Sequence, residues 1–132
     1  MIKKDYIERL TQDIARFMAK LIGFEAVEAL EYIDESYQEY LHLDKAYIDL
    51  LTTNDIVEKL EQDKKLNIFQ IEMAAEMMYK EGELLYQLGE RERANDRLSK
   101  ALTLFEHVEV TLQILSLERQ MKISKIKELL NS

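Results

Sequence analysis

Apolar residues recur at helical spacing along most of the chain, and the pattern is clearest between Ile68 and Phe105. Ile71, Ala74, Met78, Leu85 and Leu88 mark one apolar face, and Ala94, Leu98, Ala101, Leu102 and Phe105 mark another. Asn67 with Gln70 three residues on predicts a capping box at the first helix start. Gly89 lies between the two faces, where a left-handed residue without Cβ ends a helix. The expected unit is two antiparallel helices. Gly82, Ala94 and Ala101 are small where those helices must approach closely.

The remaining chain divides around this hairpin. Residues 5–22 predict an amphipathic helix ending at Gly23, with Ile7, Leu10, Ile14, Phe17, Met18 and Leu21 on one stripe. Such a stripe ordinarily packs on its own domain; a dimer surface or an interfacial membrane helix is the alternative. Residues 25–42 predict a second helix with Val27, Leu30, Ile33, Tyr37 and Leu41 inward and Glu28, Glu31, Glu35 and Glu39 on another face. Residues 44–51 either extend that helix or form a short one. Leu51-Thr52-Thr53-Asn54-Asp55 breaks it, because these short polar side chains compete with helical hydrogen bonds. A short helix follows over 55–62. Residues 109–130 read as one last long helix, apolar over so wide an arc that cover on two sides is expected; it has the pattern to pack as the next repeat-like helix and also to contact a second copy of the chain.

These elements predict an all-α fold, a compact array of five to seven antiparallel helices. It forms a single domain over 1–132, divided as 1–23, 24–66, 67–108 and 109–132. The absence of proline and the presence of only three glycines agree with long helices.

The hairpin over 75–108 resembles a tetratricopeptide repeat. Met78 stands at the large position of the first helix, Gly82 at the small one, Leu85-Tyr86 at the aromatic pair and Gly89 at the turn. Ala94, Leu98 and Ala101 match the small, large and small positions of the second helix. Glu81 stands where the repeat usually has leucine, and Glu106 where it has its closing proline. The resemblance implies a groove lined by the first helix, here by Glu76, Tyr79, Glu83 and Tyr86, which fall three to four residues apart. The alternative is that Tyr79 and Tyr86 pack against residues 44–62 or the last helix. The opening Lys3-Lys4-Asp5-Tyr6-Ile7 is similar to that of a bacterial family of short, acidic, all-helical proteins, which implies no particular activity.

Charge narrows the partners. The net charge is −8, distributed as +2 over 1–23, −10 over 24–63, −1 over 64–106 and +1 over 107–132. No basic stripe suits phosphates, so nucleic acid is not expected. The acidic face of 25–42 is a solvated face or a docking patch for a basic partner. No apolar run reaches the ~18 residues of a membrane span, and no signal peptide is evident, so a cytoplasmic protein is expected.

Candidate chemistry is sparse. With no cysteine there is no thiol or disulfide chemistry. Glu39 and His42 have the Glu-x-x-His spacing of di-iron bundles, but the residue three before the other histidine, His107, is Leu104. No serine sits in a glycine-rich elbow, and the glycines are isolated. Met73, Met77 and Met78 are expected in the core rather than on an adaptable binding surface. No enzyme activity, cofactor or metal is expected. The expected function is a non-catalytic protein–protein interaction module binding a protein or peptide, with homodimerisation through the N- or C-terminal helix; the alternative is a regulatory domain for a small ligand or peptide.

Overall fold

A computed structural model describes residues 4–132, so Lys3 of the opening motif lies outside the described residues. Among the described residues seven α-helices follow one another: α1 Lys4–Leu21, α2 Ala26–Leu41, α3 Lys45–Leu50, α4 Ile56–Glu58, α5 Ile68–Gln87, α6 Arg91–Leu112 and α7 Leu117–Leu130. The single turn of α4 runs directly into a wider turn over Lys59–Asp63, closed by an i to i−5 hydrogen bond from Lys64 N–H to the Lys59 carbonyl. Among the described residues there is no strand, and no helix is long and apolar enough to cross a membrane.

Helices α5 and α6 form the expected antiparallel hairpin at the centre. Its start follows from local chemistry. Asn67 Oδ1 accepts from Gln70 N–H and Gln70 Oε1 accepts from Asn67 N–H, each at 2.9 Å. Its turn closes as a glycine-terminated helix should. Gly89 adopts φ +79°, the Glu90 N–H reaches the Leu85 carbonyl and the Gly89 N–H reaches that of Tyr86. Gly82 is required by packing rather than by backbone angle. A Cβ there would lie 2.6 Å from Leu98 Cγ and Cδ2 on α6.

Helix α5 is buried over almost its whole circumference, as a central helix must be. Met73, Met77 and Met78 lie in the core with Ile71, Ala74 and Ala75. Helix α2 packs on α5 through Ala29, Ile33, Tyr37 and Leu41, a four-residue spacing. Val27, expected inward, is 61 % exposed. Two residues before Ala29, it is turned about 200° from that stripe. Glu28, Glu31, Glu35 and Glu39 face solvent. Helix α1 is seated by Phe17 and Leu21, with Phe17 stacked on Tyr32 and Tyr6 on Phe69.

Three elements end at left-handed residues, and one of these ends departs from the expected pattern. His42, Lys65 and Gln113 take left-handed conformations, at φ 56°, 58° and 53°. His42 ends α2, so α3 is a separate helix. Gln113 ends α6, so the single helix expected over 109–130 is in fact two. Ser116 Oγ then accepts from Arg119 N–H at 3.2 Å and starts α7. At Leu51–Asp55 the expected break is present, closed by reciprocal hydrogen bonds between Thr52 and Asp55.

Candidate functional site

The break at Gln113 decides the layout of the site, because it folds α7 back along the hairpin. Arg119 on α7 donates through Nε to Glu72 of α5 at 2.9 Å and through Nη1 to Glu109 of α6 at 2.6 Å and to the Ile114 carbonyl. One turn on, Lys122 Nζ donates to both carboxylate oxygens of Glu76, at 2.6 and 2.7 Å. Ile123 and Ile126 complete the covered face of α7.

The four α5 residues expected to line a groove therefore have different surroundings. Glu76 is only 4 % exposed and lies beneath Lys122. Burial pushes its carboxyl above the ordinary range, with the Lys122 ammonium opposing. Tyr79 is half-buried, its ring edge-on to Phe105 with centroids 6.4 Å apart and its hydroxyl donating to Glu83 at 3.1 Å. Burial and then the Glu83 charge raise the Tyr79 pKa. Glu83 also lies 3.7 Å from Lys80. Tyr86 bonds Ser132 Oγ at 2.6 Å and carries the Arg91 guanidinium 4.6 Å above its ring. The four share one side of α5, but α7 runs along that side.

What stays open is an apolar face at the α6–α7 corner. Leu117 and Met121 on α7 are 72 % and 71 % exposed, and Val110 near the end of α6 and Ile114 and Leu115 in the α6–α7 turn are exposed as well. Tyr79, Leu117, Met121, Ser124, Lys125 and Glu128 border a shallow groove of about 680 Å³. The breadth of apolar positions over 109–130 was the sequence signal for this face. One side of that arc is covered by the hairpin, and the other is bare.

A second groove, of about 470 Å³, lies between α1 and the α5–α7 side. Ile7, Leu10, Ile14 and Phe69 form its walls, and the paired Glu72, Glu76, Arg119 and Lys122 line it as well.

A polar cluster on the opposite side of the hairpin accounts for Glu81. Glu81, 1 % exposed, accepts at Oε1 from Tyr37 of α2 and from Arg97 Nε of α6, both at 2.7 Å. Arg97 also donates to Asp49 of α3 and to Asp96. Lys100, buried beside it, donates to Asp96 and to the Ile48 carbonyl at 2.9 Å. Burial works against the Arg97 charge, but Glu81, Tyr37 and Asp49 outweigh it and raise its pKa. Burial and Glu81 push the Tyr37 phenol well up. Every Arg97 nitrogen is engaged inside the protein, so the cluster is a clamp joining α2, α3, α5 and α6. Of the two histidines, His42 sits in the turn after α2, and His107 Nε2 lies 2.9 Å from Glu61.

Comparison with protein-family models, with curated proteins and with solved structures finds no match.

Proposed function

We propose that the protein is a non-catalytic protein–protein interaction module of tetratricopeptide-like type, acting in the cytoplasm. The observation that carries this reading is the bare apolar face of Val110, Ile114, Leu115, Leu117 and Met121. Exposed large apolar side chains that gather at one end of a fold commonly mark interaction sites. The repeat-like character is supported by the Gly82–Leu98 approach, the Gly89 turn and the lie of α7 beside the hairpin, where a following helix stacks in a repeat array. Tyr79, Glu83 and the apolar α7 residues then form one continuous binding side, with Glu76 and Tyr86 holding α7 in place.

Affinity capture with the tagged full-length chain tests this, beside a Leu117→Glu/Met121→Glu variant. A partner retained by the native chain and lost from the folded variant supports the reading; identical recoveries refute it.

The second reading is a regulatory domain for a small ligand or peptide. The groove between α1 and α7 favours it, since about 470 Å³ falls within the ~300–1,000 Å³ of ligand sites. A thermal-shift screen against metabolites tests it, because a ligand that binds only the folded state raises the melting temperature.

A further inference from the structure

We infer that the outward face of α7 pairs antiparallel with the same face of a second copy, giving a two-fold dimer. This rests on the reading of the α6–α7 corner as an interaction face, and it names the occupant.

The pattern along α7 is the argument. With Arg119, Lys122, Ile123 and Ile126 turned inward, Leu117, Met121, Ser124 and Glu128 form the outward stripe at spacings of three and four. Glu118 and Lys125, seven residues apart, flank that stripe on one side, and both are exposed. In an antiparallel pair about a two-fold axis, positions on the same flank of the two stripes face each other. An axis passing at Met121, midway between positions 118 and 125, then sets Glu118 against Lys125 of the second copy, and Lys125 against its Glu118. One helix thus supplies both halves of two reciprocal ion pairs. The two Met121 side chains meet at the axis, and the small Ser124 one turn on leaves them room. Leu117 of each copy meets the stems of Lys125 and Glu128 of the other.

Long-range charge selects the same face. Each chain carries −8, and residues 24–63 alone carry −10, so most of the surface repels a second copy. Residues 107–132 carry +1, and within them Arg119 and Lys122 are already neutralised by Glu72 and Glu76. The α7 face is therefore apolar, close to neutral and self-complementary. The stripe from Leu117 to Glu128 is about 18 Å long. A stripe of that length supports a modest, reversible dimer rather than an obligate one.

Sedimentation velocity of the full chain over a concentration series tests the pairing. The native protein shifts from one chain's mass to twice that mass in the micromolar range. Glu118→Lys alone, or Lys125→Glu alone, sets like charges against each other and weakens the dimer about tenfold or more. Glu118→Lys combined with Lys125→Glu restores it. These side chains are exposed, so circular dichroism should show all three variants folded. A native chain that stays monomeric at about 1 mM overturns the inference, and so does a dimer that the single swaps leave unchanged. If the chain is monomeric and capture still depends on Leu117 and Met121, the dimer is refuted while the interaction module stands.

Discussion

Glu81 Oε1 and Arg97 Nε lie 2.7 Å apart across the α5–α6 interface, each almost fully buried, and Tyr37 donates to the same oxygen. Arg97→Ala leaves the buried Glu81 carboxylate with only the Tyr37 hydroxyl and should cost about 3–5 kcal/mol, read by urea denaturation; Glu81→Ala should cost less, because Asp49 and Asp96 still hold Arg97. Glu81→Leu with Arg97→Met should recover most of that loss, since replacing a whole buried pair by apolar groups is often neutral or better. A double variant as unstable as either single one would show that Tyr37, Asp49 and Asp96 need the pair.

Gly82 is a second test of the hairpin. Alanine raises helix propensity by up to ~1 kcal/mol. Its Cβ, however, meets the buried Leu98 side chain at 2.6 Å, and overpacking of this kind costs ~1–3 kcal/mol. Gly82→Ala should be net destabilising. A melting temperature at or above the native value would mean that α5 and α6 are not so close.

Gln113→Gly should do the reverse. Gln113 holds φ 53°, which costs a residue with a Cβ roughly 1 kcal/mol that glycine does not pay. The variant should gain about that much stability. A loss would place the α6–α7 break elsewhere.

Asp34 gives the pH dependence a sign. Burial first, and Glu81 second, raise its pKa above the ordinary carboxylate value, with Lys45 opposing. The folded state therefore holds this proton more tightly than the unfolded chain does. The associated stability is fully present below the unfolded pKa near 3.8 and is lost as pH rises through the higher folded value. Asp34→Asn should accordingly be more stable than the native chain at neutral pH, and the difference should shrink on acidification. Parallel stability curves across pH 3–7 would contradict this assignment.

The outcome follows the range of the interactions involved. The capping box at Asn67 and the stop at Gly89 depend on residues within one turn, and their chemistry is visible in the sequence. The ends near His42 and Lys65 fall where the sequence reading already broke the helices, but the stop at Gln113 falls on a residue with no marked preference for positive φ, so nothing local announces it. Glu76 was expected in an open groove because the resemblance puts it there; its partner Lys122 lies 46 residues on, and no local pattern pairs the two. The four-residue stripe Ala29-Ile33-Tyr37-Leu41 was partly legible, but choosing Val27 as a member misjudged the angle of α2. Glu81 appeared only as a departure from a repeat pattern, because its partners Tyr37 and Arg97 lie 44 and 16 residues away.

The most direct test of the interaction face is site-specific photocrosslinking in living cells. A photoreactive phenylalanine analogue replaces Met121 in one version and Glu35, on the acidic face of α2, in another. Covalent protein adducts are expected from position 121, either with a second copy or with a different protein, and none above background from position 35. No adduct from position 121, or equal yields from both positions, would contradict it.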